Sequence, residues 1–198
     1  MTRVYLETGK TWTFACAVDW PGWCRRGKGA EEALDALLAY RPRYAAAIGK
    51  RVTVGDVTVV GRVRGTTTTD VGAPDVKGEW DDEPLERREL KRQVDMLRSS
   101  WTYFDDVVRG APASLRKGPR GGGRDRDAIV DHVREAERSY GRKVGSRVPP
   151  RTPWPEQRDA LAGALLDGDE ETAWPRRYAI RRIAWHVLDH AWEIEDKS

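Results

Sequence analysis

The sequence predicts an α+β chain in two parts, and three observations predict it. Up to about residue 65, apolar residues alternate or cluster in short β-branched runs around one helical segment. Beyond residue 82 they recur every three or four positions, as on amphipathic helices. Between the two, residues 66–82 read TTTTDVGAPDVKGEWDD, with the Gly, Pro and Thr content of a linker. The expected division is a small domain over residues 1–75 and a helical domain over residues 82–198.

In the first part, RVYLET and TWTFACAV flank Gly9-Lys10, expected as a two-residue hairpin connection. Trp12, Phe14 and Cys16 fall on one face of the second run and Thr11, Thr13 and Ala15 on the other, the pattern of a half-buried strand. DWPGWCRRGKG reads as a turn at Pro21-Gly22 followed by a short strand. AEEALDALLAY places Ala33, Leu34, Leu37 and Leu38 at helical spacing, with Glu31 and Glu32 suited to the positive end of the helix dipole. RVTVGDVTVVGRVRG alternates valines and predicts one or two further strands.

Four helices are expected in the second part. The first carries Val94, Leu97, Trp101, Phe104 and Val108 on one stripe, with Pro84 at a tolerated first-turn position. Asp125 is placed to cap the next, which runs through Ile129, Val133, Ala136 and Tyr140. PWPEQRDALAGALLDG is a shorter helix stopped at Gly168, and the last begins near Pro175. Four amphipathic helices in succession most simply make a four-helix bundle.

The 35 basic and 32 acidic side chains are interspersed and leave a net charge of +3, which gives no footprint of a dedicated nucleic-acid binder. A mean hydropathy of −0.71 and the polar start MTRVYLETGK point to a cytoplasmic protein with no membrane role. Cys16 and Cys24 are expected as separate, structural thiols.

The chain has three histidines, and two of them stand four residues apart in AWHVLDHAWEIED. On a helix the stripe Ile180, Ile183, Ala184, Val187, Ala191 and Ile194 has His190 at its edge and His186 further round the same side. Two imidazoles one turn apart can chelate one ion, although a histidine beside an apolar stripe is also a common hydrogen-bonded core residue. The stretch is not HExxH, since Val187 stands at the glutamate position. His132 borders the stripe of Ile129 and Ala136 on the second helix, so all three imidazoles fit one arrangement with an open position for water or substrate.

With RGGGRDRDAIVDHVREAERSY and RRYAIRRIAWHVLDHAWEIED, residues 84–198 resemble the DinB-like metalloproteins. The resemblance implies that His132, His186 and His190 hold a divalent metal, zinc or nickel, with water completing the shell. It also implies thiol-dependent transfer or isomerisation with mycothiol, bacillithiol or glutathione. More weakly, FACAVDWPGWCRRGKGAEEALDALLAY is similar to the HicB-like antitoxin domain. Antitoxins of that kind usually add a DNA-binding segment, and here a helical bundle stands in its place.

The expected function is thus a metal-dependent enzyme acting on a small electrophilic substrate, by thiol transfer or a related addition or hydrolysis. Glu135 and Glu193, each one turn beyond a histidine, are candidates to orient a ligand or shuttle a proton. Arg120 and Arg124 flank a run of glycines before a helix N-terminus and are candidate contacts for an anionic group of a substrate or thiol cofactor. The alternative is a non-catalytic, antitoxin-like interaction protein whose histidines are structural or vestigial. A strand edge in the first domain is a candidate surface for a homodimer.

Overall fold

The computed structural model describes residues 1–49, 56–119, 122–168 and 171–198. It is a mixed α+β structure, with a four-stranded sheet at the N-terminal end and long helices toward the C-terminus. The strands are β1 (Thr2–Thr8), β2 (Thr13–Ala17), β3 (Cys24–Gly27) and β4 (Val57–Arg64), in the spatial order β3-β2-β1-β4. β1–β2 and β2–β3 are antiparallel, while β4 returns parallel to β1 after the helices α1 (Ala30–Ala39) and α2 (Arg41–Ile48). Residues 51–55, the first third of the valine-rich run that was expected to hold one or two strands, lie outside the described residues.

The β1–β2 connection is longer than two residues. Thr8 pairs with Thr13, leaving Gly9–Trp12 as the loop, closed by Gly9 N–H donating to the Trp12 carbonyl at 2.9 Å. Asp70 holds the loop from outside, its Oδ1 accepting from Thr11 N–H at 2.7 Å.

β2 is buried on both faces rather than half-buried. Ala15 and Ala17 join Val4 and Leu6 against Ala33 and Leu37 of α1 and Tyr44 and Ile48 of α2. Phe14 and Cys16 join Tyr5 on the opposite face, which Trp80 and Trp185 cover. The β2–β3 register sets Cys16 opposite Cys24 with Cα atoms 4.1 Å apart, and the two are paired as a disulfide rather than standing as separate thiols. The turn before β3 needs a glycine: Gly22 has φ 87° and packs against Ala184 and Leu188 of the last helix.

Residues 66–82 are not a free linker. They form the short helix α3 (Thr67–Asp70) and a 3-10 turn (Glu79–Asp81), and bury Thr69, Trp80 and Asp81. The Glu7 carboxylate, itself fully buried on β1, explains their order: it accepts from Thr69 Oγ1 at 2.6 Å and from the N–H groups of Asp75 and Val76.

The remaining helices are α4 (Arg87–Gly110), α5 (Arg126–Lys143), α6 (Trp154–Asp167) and α7 (Arg176–Lys197). Pro84 falls short of α4, whose N-cap is Glu86. Asp125 stands at the N-cap position of α5 but makes no capping bond; its carboxylate accepts instead from Leu115 N–H and Lys117. The four helices share one core, with α7 beside α4 and α5, and α6 closing the ring against the same two. None is long and apolar enough to cross a membrane.

α7 is the element on which everything meets. Its expected stripe, Ile180 to Ile194, lies in the helical core, but Leu188 and Trp192 pack with β1, and Trp185 packs on the other face of the sheet. A surface helix needs one apolar face; α7 is covered nearly all round and buries Arg177, Arg181 and Arg182 as well.

Candidate functional site

His186 and His190 project from α7 one turn apart because 3.6 residues per turn bring i and i+4 onto one face. Packing of the α7 stripe against Ile129 and Val133 of α5 sets His132 opposite them. The three imidazoles converge, one nitrogen from each lying within 4.8 Å of the others. His186 and His190 are buried, while His132 is exposed, so the cluster opens to solvent past α5. The His132 and His186 Nε2 atoms are 3.1 Å apart.

Two neutral ring nitrogens at that distance repel through their lone pairs unless a proton or a cation lies between them. Burial, helped by the neighbouring His190, pushes His132 below the usual histidine value. Burial pushes His186 further down, with His190 and then Arg182 adding to the effect. Neutral imidazoles are the form that can ligate a metal.

His190 is oriented from behind. Its Nδ1 is 2.8 Å from Glu193 Oε2. The hydrogen bond from His190, and then that from Lys197, hold the Glu193 carboxyl down to about 2. The carboxylate is therefore the acceptor and Nδ1–H the donor, which leaves Nε2 as the ring nitrogen not engaged by Glu193. Lys197 Nζ donates to Glu193 Oε1 at 2.6 Å, and Arg124 Nη2 reaches Oε2 at 3.4 Å. A histidine with a carboxylate on its far nitrogen is the common arrangement behind a metal ligand.

The other expected residues fall as follows. Arg124 joins the rim of the cluster through Glu193, and Arg120 lies outside the described residues. Glu135 stays on the exposed side of α5, where it pairs with Arg138 rather than with a histidine. Asp189, between the two α7 histidines in sequence, faces away and binds Arg25 of β3 at 3.1 Å. From sequence, Trp185 of α7 is raised as a pocket wall by its place next to His186 but not adopted, and Tyr140 of α5 is not singled out as one; their rings lie against His186, with centroids 6.3 Å and 5.6 Å away. Tyr140 carries a signal in hindsight, since it stands on the same α5 stripe as His132.

Comparison with protein families, with curated proteins and with solved structures finds no match for this chain. The cluster has to be read from its own chemistry.

That chemistry is a set of three nitrogen donors from two facing helices, one donor braced by a carboxylate and one facing solvent. The larger clefts lie elsewhere. One of ≈ 490 Å³ is lined by Asp81, Glu83, Arg176 and Arg177, and one of ≈ 550 Å³ by Lys143, Arg147, Asp167 and Thr172.

Proposed function

We propose that the chain is a metal-dependent enzyme of DinB-like type, in which His132, His186 and His190 hold one divalent ion, zinc or nickel. The observation that carries this reading is the convergence of all three histidines of the chain, with donor atoms within 4.8 Å. Imidazoles at 2.0–2.1 Å on a tetrahedral zinc stand about 3.3 Å from one another, so the 3.1 Å between His132 and His186 is already close to a co-ligand spacing.

A bound ion there would supply a Lewis acid able to hold a thiolate or a hydroxide near neutral pH. The substrate class is a small electrophile, and the reaction is thiol transfer of the mycothiol kind or a related addition or hydrolysis. The chain's own residues do the positioning. Glu193 fixes the His190 tautomer and, being ionised at neutral pH, serves as acceptor rather than as acid. Burial keeps His186 neutral and ready to ligate. His132, on the exposed side, leaves the cluster open to solvent and hence to a substrate. The HicB-like reading of the first part belongs to the same proposal, as an accessory domain or a homodimer surface.

One observation favours the second reading, a non-catalytic protein. The 3.1 Å contact is also satisfied by a single proton, with one neutral histidine donating to the other. Elemental analysis of untagged protein, wild type beside His186→Ala, separates the two. Near-stoichiometric metal in the wild type that is lost in the variant supports the enzyme. A wild type that stays empty after incubation with zinc and nickel leaves the hydrogen-bonded pair, and an interaction protein, as the reading.

A further inference from the structure

Arg182 lies one turn before His186 on α7 and is buried, with 9% of its surface exposed. Its Nε and Nη1 have no hydrogen-bond partner among the described residues. The two buried arginines nearest to it on the helix are paired. Arg177 binds Asp19 at 2.8 Å, and Arg181 binds Asp81 and the Tyr5 hydroxyl, each at 2.7 Å.

Among the described residues, rings rather than carboxylates stand around Arg182. Its Cζ is 5.4 Å from the Tyr140 centroid and 4.8 Å from that of Trp185. These are the same two rings that flank His186, so the guanidinium and the imidazole share one aromatic wall.

Burying a guanidinium without a counter-ion is costly, and cation–π contacts offset only part of that cost because they leave the N–H groups unmet. With rings against its flanks, the donors that remain point along the guanidinium's own plane. A flat acceptor with two oxygens matches that fork, which is the geometry of a carboxylate. We propose that Arg182 binds the carboxylate of the substrate, and that the substrate is a small carboxylic acid whose reacting atom lies at the histidine cluster about one helical turn away, roughly 5–6 Å. This rests on the metal reading above and narrows its substrate class. It also gives a purpose to a cation unpaired among the described residues: an arginine already tied to an aspartate, as Arg181 is, cannot receive a ligand.

The test uses protein loaded with cobalt(II), with mercaptoacetate and its methyl ester as probes and the thiolate-to-cobalt absorption band as the readout. Both probes present a thiol to the metal; only the acid presents a carboxylate. In wild type the acid should bind about tenfold tighter than the ester, the worth of a charge-assisted hydrogen bond. In Arg182→Met that preference should vanish while cobalt content stays at the wild-type level. Arg182→Lys, which keeps the charge but not the fork, should fall below wild type for the acid and match it for the ester.

A wild type that does not favour the acid overturns the proposal. So does a preference that survives in Arg182→Met, or undiminished binding of the acid by Arg182→Lys. Should the Met variant fail to fold, the wild-type comparison and the Lys variant still decide. Absence of cobalt from wild type is seen before any thiol is added; it overturns the metal reading, and this inference falls with it.

Discussion

His190 Nδ1 and Glu193 Oε2 lie 2.8 Å apart on successive turns of α7, and Lys197 grips the other oxygen of the same carboxylate at 2.6 Å. One carboxylate thus fixes an imidazole and is itself fixed. Replacing it with an amide removes the ionised acceptor and frees the ring to turn. Glu193→Gln is expected to weaken zinc binding by about 10–100-fold, measured by competition with a chelator. Unchanged affinity would mean that His190 needs no brace.

The metal-free protein should lose stability as pH falls from neutral. His132 and His186 sit below their usual value of 6.5 when folded, so the unfolded chain takes up protons that the folded chain resists. Their contribution is therefore intact above about pH 6.5 and is lost as pH drops toward the folded values. Glu193 adds a second loss lower down, between its ordinary 4.5 and about 2, where its bonds to His190 and Lys197 are protonated away. Thermal melts between pH 7 and 5 should fall less steeply for His132→Gln/His186→Gln than for wild type. Parallel slopes would take the two histidines out of the account.

A separate buried pair tests the packing of the helices. Glu137 of α5 is 1% exposed, and its Oε2 accepts from Arg158 Nε of α6 at 3.1 Å and from Trp154 Nε1 at 2.5 Å. Arg158→Met strands that carboxylate in the interior and should cost about 3–5 kcal/mol in urea unfolding. Changing Glu137→Leu in the same protein should recover most of the loss, because the uncompensated charge is then gone.

On the sheet, Gly61 of β4 lies beneath the Trp80 indole, and a Cβ there would run into the ring. Gly61→Ala should therefore destabilise by about 1–3 kcal/mol, the range for overpacking a filled site. A neutral result would show that the 79–81 turn moves aside freely.

Periodicity carried some of these elements a long way. The stripe from Ile180 to Ile194 was readable because only an amphipathic helix spaces apolar residues in that way, and Gly168 stands at the C-cap that ends α6. Phe14 and Cys16 separated from Ala15 as period two required. The convergence of His132 with His186 and His190 followed from placing each on its own stripe. Other features left no such trace. The 66–82 segment looks polar and loose, yet Glu7, more than sixty residues upstream, gathers its N–H groups. Arg177, Arg181 and Arg182 lie off the apolar stripe of α7, and all three are buried.

The sequence by itself determined where most helices and strands would lie and which side chains share a face, because those are set by neighbours within a few residues; α2 and α3 escaped it. Only the tertiary structure decided what covers each face. The sheet lies across the polar side of α7, so arginines that would otherwise be solvated had to find partners: Asp19 for Arg177 and Asp81 for Arg181. Which arginine is left without an acid among the described residues depends on contacts between residues 100 and more positions apart, and local spacing contains no record of them.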